Sequence, residues 1–427
     1  MNLLIKNCKI ADIETGTYGN GDIYAAGGKI IVTGDRFAVV DNNLRTINAE
    51  GRYAVPGLIN LHAHLFGSGV PSKALGKGEE QDKLVKFIHS ALGGFVLRRI
   101  VAKSARQQLM SGVTTVRCVG DFDYSDVRLR DKINAGKKGA RLICCGPAIT
   151  APGGHGDGTF AVTPDGEEAL RAEVRRHAEK KVDWIKICVT GGVTDASKEG
   201  EPGEVKMTLA QIEAVCDEAH KLGLKVAAHV QSPAGMELAV RGGVDTCEHG
   251  APMTDEVAAM LKERGGAVVT TFSPALPLAE LDPEVTKLNE LCRTNTRAAL
   301  AQMTECAKRA KEKEIPVGLG TDSSCPLCTQ YDMWREMEYF VRETGASRAE
   351  TLRAATLGNA GILGMADELG SLDAGKTADF VLLDEDPLQS FETFRRPFLV
   401  VKEGKAYKGK PGKYADVERE LDKLLAK

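Results

Sequence analysis

The chain of 427 residues has no strong excess of either charge and no long apolar segment. It carries 56 basic and 59 acidic side chains, so its net charge of −3 gives no reason to expect nucleic acid or an acidic membrane as a partner. No stretch approaches the roughly 18 apolar residues that a membrane-spanning helix needs. These absences favour a globular protein, and the expected partner is a small-molecule substrate.

An export signal is also missing from the sequence. The first residues, MNLLIKNCKIADIETGTYGNGD, contain no long apolar segment and no small-residue cleavage site, and they have the pattern of a strand. The 11 cysteines are an odd number and are spread along the chain. This distribution fits a reduced compartment better than a disulfide framework. We therefore expect a cytoplasmic protein, and a homo-oligomer is the expected assembly.

The two ends of the chain share one pattern, in which short apolar runs are broken by turn residues. Pairs such as Gly-Gly, Asn-Gly and Gly-Asp favour hairpins in residues 1–56. Residues 371–427 return to strand-like runs and close with DVERELDKLLAK, which has the pattern of a helix. We predict that residues 1–56 and 371–427 together form a small β-sandwich domain with a C-terminal helix.

Between these ends, residues 57–370 alternate apolar runs of strand length with amphipathic helical stretches. One such stretch, TLAQIEAVCDEAHKLG, has a candidate N-cap in Thr208 and a candidate C-terminal glycine in Gly223. Continuous apolar runs are typical of buried parallel strands, and eight strand–helix units predict an α/β fold, a (β/α)8 TIM barrel. The eight runs are 57–64, 113–120, 140–146, 183–191, 224–230, 243–250, 266–272 and 315–322.

Side chains that bind metals end several of these runs. His62 and His64 end the first run, and residues two apart on a strand face the same side. The fifth run ends near His229, the sixth at His249 and the eighth at Asp322. Active residues of a barrel lie at the C-terminal ends of its strands, and imidazole and carboxylate groups suit Zn²⁺. The pattern therefore predicts a metal site on one rim.

Lys186, in the middle of the fourth run, has two interpretations. Its aliphatic stem can pack inside the barrel while its ammonium group meets a carboxylate. Alternatively, its free amine adds CO2 and becomes a carbamate, whose two oxygens can bridge two metal ions. With four histidines and one aspartate, such a carbamate would complete a binuclear site.

The ordered motifs LHAH, WIKI, AAHV, CEHG and GTD resemble the amidohydrolase superfamily. Flanking segments such as VPGLINLHAHL, IKICVTGGV and GSLDAGKTADFVLLDEDPL resemble its binuclear, metal-dependent branch of prolidase-like and carboxypeptidase-like dipeptidases. The resemblance extends from the N-terminal strands to about residue 405. It implies a hydrolase of amide C–N bonds, with a dipeptide or an N-acyl amino acid as the leading substrate.

The resemblance also implies a role for each ligand. His62, His64 and Asp322 would bind one divalent ion, and the two later histidines would bind the second. Carbamylated Lys186 and a hydroxide would bridge the ions, and Asp322 would carry the proton from the hydroxide to the leaving amine. Two Zn²⁺ ions and a CO2-derived carbamate are therefore the expected cofactors.

Residues near this rim are candidate substrate contacts. His155, in the glycine-rich segment APGGHGDG, is a candidate donor to a substrate carbonyl or carboxylate. Gln231 follows His229 by two residues, where dipeptidases of this branch often carry a substrate-binding tyrosine. Arg117 has two interpretations, an anchor for a substrate carboxylate and a structural ion pair inside the barrel.

Cys325 and Cys328 form a C-x-x-C motif just after Asp322. Such a pair can bind zinc or exchange disulfides, but a four-cysteine zinc site needs a second pair. The adjacent Cys144 and Cys145 lack the required spacing. We therefore predict that the two thiols line the substrate entrance, in a segment that departs from the related dipeptidases.

Other functions would use the same residues. A hydrolase of a cyclic amide, a urea or another small nitrogen compound would need the same two metals. A mononuclear deaminase or imidazolone hydrolase of the superfamily generally lacks the bridging lysine, so Lys186 argues against that function. A non-catalytic relative would have lost ligands, whereas every ligand position is filled here.

Overall fold

A computed structural model describes residues 2–35, 37–71, 79–193, 196–412 and 414–426 of the chain. Its strands form one mixed sheet and two parallel sheets. The strands are β1 (Asn2–Asp12), β2 (Thr17–Ala26), β3 (Lys29–Gly34), β4 (Leu44–Asn48), β5 (Tyr53–Pro56), β6 (Leu58–Ala63), β7 (Val113–Cys118), β8 (Arg141–Cys144), β9 (Ala148–Thr150), β10 (Ala161–Val162), β11 (Trp184–Cys188), β12 (Lys225–Val230), β13 (Thr246–His249), β14 (Ala267–Thr270), β15 (Val317–Leu319), β16 (Phe380–Leu383), β17 (Leu399–Lys402) and β18 (Lys405–Tyr407).

Strands from both ends of the chain share the eight-stranded mixed sheet. Its order is β18-β17-β16-β5-β1-β2-β3, and β4 pairs with β1 off this path. β1 pairs with β2 and β2 with β3 in antiparallel register, which confirms the predicted hairpins. Buried Ile5, Ile23 and Phe380 belong to the core of this sheet. A sandwich arrangement of these strands stays a prediction.

The eight apolar runs predicted as strands are all strands, and all of them lie in parallel sheets. One sheet has the order β10-β9-β11-β12-β13-β14-β15, and the other has the order β6-β7-β8. β6, β7, β11, β13 and β14 are buried at every position, which explains why β6, β11 and β14 are mainly apolar and why the polar side chains of β7 and β13 need buried partners. The sequence did not predict β9 and β10, because strands of three and two residues are too short to give a periodic signal.

Backbone contacts join the edges of the two parallel sheets. Ala63, at the end of β6, forms a parallel bridge with Ser323, which follows β15. Next to it, the Asp322 N–H donates to the His62 carbonyl at 2.8 Å. Gly320 permits this approach, because a Cβ atom there would lie 2.3 Å from the Cβ of His62. The C-terminal ends of β6 and β15 therefore meet, and the side chains that follow them lie together.

Helices connect the parallel strands and close the chain. They are α1 (Glu79–Ile88), α2 (Ala91–Met110), α3 (Ser125–Asn134), α4 (Glu167–Glu179), α5 (Leu209–Lys221), α6 (Pro233–Arg241), α7 (Asp255–Glu263), α8 (Phe272–Glu280), α9 (Pro283–Thr286), α10 (Glu290–Glu312), α11 (Met333–Thr344), α12 (Arg348–Arg353), α13 (Asn359–Leu363) and α14 (Ala415–Leu425). Thr208 caps α5 as predicted, since its side chain accepts from the Gln211 N–H, and Gly223 (φ +72°) follows the helix end. Among the described residues, no helix combines the length and the apolarity needed to span a membrane.

Candidate metal centre

Three predicted ligands form one compact group. His62, His249 and Asp322 each offer a ligand atom, and these atoms all lie within 4.8 Å of one another. His62 lies in β6, His249 ends β13 and Asp322 follows β15. No other such group of histidine, cysteine and carboxylate side chains occurs in the part of the chain that the structure describes. The ends of three parallel strands thus bring together residues that are far apart in the sequence.

The other predicted ligands surround this group. The Nε2 atom of His64 lies 3.2 Å from Oδ1 of Asp322. The His229 and His249 rings are in edge contact, with centroids 4.6 Å apart. Lys186 is 2% exposed, and its Nζ atom has no hydrogen-bond partner among the described residues. A buried amine without a partner is costly, so this side chain fits a group that gains a ligand or a modification.

Burial keeps the imidazoles of the group neutral. Burial, assisted by the charge of Lys186, lowers the pKa of His62 to about 4. Burial and neighbouring imidazoles lower the pKa values of His229 and His249 well below the usual range. A neutral imidazole offers a lone pair to a cation, whereas an imidazolium does not. These histidines are therefore in the protonation state that binds metal.

Asp322 is held as an anion on strained backbone. Burial alone would raise its pKa, but His62 and His64 keep that pKa well below the usual range. Its φ of +50° and the φ of +66° at His249 lie in the left-handed region that favours glycine. Such conformations cost about 1–3 kcal/mol each and cluster at functional sites. Both strained residues belong to the compact group.

Each predicted histidine ligand has a partner for one ring nitrogen, which leaves the other nitrogen for a metal. Such contacts fix the tautomer and the orientation of a ligating imidazole. The pairs are His64 Nδ1 with the Gly120 carbonyl at 2.7 Å, His229 Nε2 with the Gly191 carbonyl at 2.8 Å, His249 Nδ1 with Thr271 Oγ1 at 2.7 Å and His62 Nδ1 with Glu248 Oε2 at 2.7 Å.

The partner of His62 is a buried carboxylate that the sequence analysis missed. Oε1 of Glu248 accepts from Nη2 of Arg117 at 2.7 Å and from the Thr246 hydroxyl at 2.5 Å. Burial opposes ionisation of Glu248, but Arg117 and His62 hold its pKa well below the usual range. Arg117 is fully buried and also donates to the Leu61 carbonyl at 2.7 Å. Of its two predicted roles, Arg117 therefore has that of a structural ion pair.

Glutamine in place of Glu248 is expected to weaken divalent-metal binding by about 10- to 100-fold. The amide has one acceptor oxygen, so it cannot serve both His62 and Arg117, and the imidazole loses its fixed orientation. A chelator-competition titration with Zn²⁺ measures the change. Asp126→Asn is the matched control, since Asp126 is an equally buried carboxylate that accepts from the backbone N–H groups of Val127 and Gly146.

The control variant is expected to lower the melting temperature and to leave zinc affinity unchanged. Equal zinc affinity in Glu248→Gln and the wild type would contradict the orienting role of Glu248.

The two candidate substrate contacts lie beside the compact group. The His155 ring stacks on the His229 ring, with centroids 4.4 Å apart and an interplanar angle of 25°. Gly192 makes room for it, because a Cβ atom there would lie 2.1 Å from Nδ1 of His155. Oε1 of Gln231 is buried and has no hydrogen-bond partner among the described residues. His155, Gln231 and the candidate ligands His249 and Asp322 line one cavity of about 510 Å³.

The two thiols of the C-x-x-C motif differ in their surroundings. Cys325 is half-buried and lies on the wall of the same cavity. Cys328 is buried, and its thiol donates to the Thr321 carbonyl at 2.7 Å. Burial, together with Cys325, raises the pKa of Cys328 well above the usual range. Cys325 therefore lines the cavity, whereas Cys328 faces the interior.

The candidate ligands lie within residues 53–406, which match the model of the amidohydrolase family. The chain belongs to the amidohydrolase family. This amidohydrolase is an enzyme that hydrolyses carbon–nitrogen bonds, and enzymes of the family generally use a divalent metal. The group of His62, His249 and Asp322 is its candidate ligand set.

Relatives place this amidohydrolase near the dipeptidase-like branch. A candidate prolidase from Bifidobacterium longum is 34% identical, with 100% of this chain and 98% of that chain covered and a TM-score of 0.85. An Xaa-Pro dipeptidase with methionine bound in its active site is 28% identical, with 96% and 100% covered and a TM-score of 0.82. An ochratoxinase from Aspergillus niger is 25% identical over 418 residues, which cover 90% of this chain and 82% of the ochratoxinase.

Proposed function

We propose that this amidohydrolase hydrolyses the amide bond of a dipeptide or an N-acyl amino acid at a binuclear zinc centre. The observation that carries the proposal is the compact group of His62, His249 and Asp322, with His64 and His229 beside it. Similarity to a candidate prolidase, an Xaa-Pro dipeptidase and an ochratoxinase supports amide substrates.

The proposal includes the architecture around the site. The bridge between Ala63 and Ser323 supports a closed (β/α)8 barrel over residues 57–370. The mixed sheet shared by both chain ends supports a separate domain of residues 1–56 and 371–427. A cytoplasmic location and a homo-oligomeric assembly stay predictions from the sequence.

The donor set fits two divalent ions. Neutral imidazoles and an ionised carboxylate suit Zn²⁺, and Lys186 is buried with an Nζ atom that lacks a partner among the described residues. A carbamate at this atom would supply the anionic bridge and would remove the cost of the unpartnered amine. When bound, the two ions would supply Lewis-acid activation of the substrate carbonyl and of water.

Side chains of the cavity transfer the proton and bind the substrate. Asp322, an anion on the cavity wall, accepts the proton of the attacking water and passes it to the leaving amine. His155 donates a hydrogen bond to the substrate carbonyl or carboxylate. The buried amide of Gln231 offers an acceptor without a partner among the described residues and is the second proposed substrate contact.

A hydrolysis screen of zinc-loaded, bicarbonate-treated protein tests the proposed function. Dipeptides and N-acyl amino acids are expected to release amino acids, and metal analysis is expected to find two zinc ions per chain. Activity confined to cyclic amides or ureas would favour the alternative hydrolase. One zinc ion per chain would favour a mononuclear enzyme, and failure on every class would contradict amide hydrolysis.

A further inference from the structure

We propose that the acyl half of the substrate is a bulky apolar group without a charged amine. On this proposal, N-acyl amino acids with an aryl or a long alkyl acyl group are better substrates than free dipeptides. The preference presupposes the proposed amide hydrolysis and chooses between its two leading substrate classes.

Aromatic side chains form the part of the cavity wall next to the candidate metal ligand His64. The rings of Phe66 and Phe160 each lie 5.3 Å from the ring of His64. They stack on each other at 5.9 Å, and Phe122 meets the edge of this pair at 5.1 Å from Phe66. All three phenylalanines line the cavity of about 510 Å³, a size in the range of small-molecule sites. A flat apolar group bound next to the metal would therefore pack against aromatic rings.

The apolar wall continues outward on the first two helices. Leu84 and Phe87 of α1 and Ile100 of α2 line the cavity, although they are 38%, 42% and 36% exposed. No residue of α1 is buried, and Leu84 and Phe87 keep more than a third of their surface exposed in the part of the chain that the structure describes. Exposed apolar surface of this kind is stabilised when an apolar group removes it from water. A large acyl group that fills the cavity would cover these side chains.

Charged groups are scarce on the cavity wall. Among the described lining residues, Asp322 supplies the carboxylate and Lys103 supplies the ammonium group. Asp322 is the candidate metal ligand and proton carrier, so the ammonium of a bound dipeptide would lose its water without gaining a counter-ion. Such a transfer is costly, whereas an N-acyl group carries no charge there. A carboxylate on the amine half of the substrate is compatible with the same wall, because Lys103 supplies a positive charge there.

Three substrates that all release L-alanine as the leaving amine test the preference for an apolar acyl group. They are 3-phenylpropanoyl-L-alanine, L-phenylalanyl-L-alanine, which differs by the α-ammonium group, and N-acetyl-L-alanine, which lacks the apolar group. The kcat/KM of the first is expected to exceed that of each of the others at least about tenfold. Equal or faster hydrolysis of the dipeptide or of the acetyl compound would overturn the preference and leave amide hydrolysis standing.

A binding measurement tests the cavity without catalysis. Titration calorimetry with 3-phenylpropanoate, and with acetate as the carboxylate control, is expected to give the lower Kd for 3-phenylpropanoate. Phe87→Ser is expected to raise that Kd about tenfold. Phe95→Ser is the matched control, because Phe95 is 50% exposed but does not line the cavity. The Kd of this variant for 3-phenylpropanoate is expected to stay within about twofold of the wild-type value.

The kinetic and binding experiments distinguish a failure of the proposed amide hydrolysis from a failure of the proposed apolar acyl site. Binding with this pattern but no hydrolysis of any amide would contradict the proposed function and support the apolar acyl site. Equal binding of acetate and 3-phenylpropanoate, or equal effects of the two phenylalanine variants, would overturn the apolar acyl site itself.

Discussion

Asparagine in place of Asp322 is expected to lower kcat by about 10²–10⁴-fold, the range for loss of a general acid–base group. The amide has nearly the same shape but does not take up a proton at neutral pH. Oδ1 of Asp322 lies 3.2 Å from Nε2 of His64 and 3.5 Å from Nε2 of His62, so the anion also belongs to the ligand group. Steady-state kinetics with the preferred amide substrate measure the loss.

Zinc content separates the two roles of Asp322. A variant that keeps its zinc and loses kcat points to proton transfer, whereas a variant that loses zinc points to ligation. Asp332→Asn is the matched control, since Asp332 is 2% exposed and pairs with Arg335 rather than with a ligand. It is expected to lower the melting temperature and to change kcat by less than about threefold. An Asp322→Asn enzyme with wild-type kcat would remove Asp322 from the proposed mechanism.

Much of the fold was predictable because the longer buried strands have a local sequence pattern, whereas the three-residue strand β9 does not. The runs that became β6 and β11 are mainly apolar, and their buried positions favour such residues. The candidate ligand positions were predictable from the strand ends, because His62 and His249 are metal-binding residue types at the ends of runs predicted as strands. The family resemblance then gave each ligand position a role, and the family match supports the hydrolase activity.

Contacts between distant strands were not predictable from such local patterns. The hydrogen bond between His62 and Glu248 joins residues that are 186 positions apart. Its signal was present as an acidic residue, Glu248, inside a run predicted as a buried strand, and a buried acid requires a buried donor such as Arg117. Spacing alone does not show that strands β6, β7 and β13 bring these three side chains together. The sequence also did not predict that α1 lines the cavity. Helical periodicity predicts an apolar face but not what covers that face.

Alanine in place of Lys186 is expected to reduce bound zinc from two ions to about one and to lower kcat/KM by about 10³-fold. The physical reason is the loss of the anionic bridge that the proposed carbamate on the buried Nζ atom would supply. Added acetate or propionate is expected to restore part of the activity, since a short carboxylate fits the vacated space and offers two oxygens. Isotopically labelled bicarbonate is expected to mark the wild type and not the variant.

Lys225→Ala is the matched control for this experiment. Lys225 lies on the neighbouring strand, opposite Trp184, and its Nζ atom donates to the Ile362 carbonyl at 3.3 Å, away from the ligand group. This variant is expected to keep two zinc ions, to show no rescue by acetate and to keep the bicarbonate label. If Lys186→Ala also retained two zinc ions and full activity, the carbamate bridge would be wrong, and Lys186 would be a packing residue with an unusually buried amine.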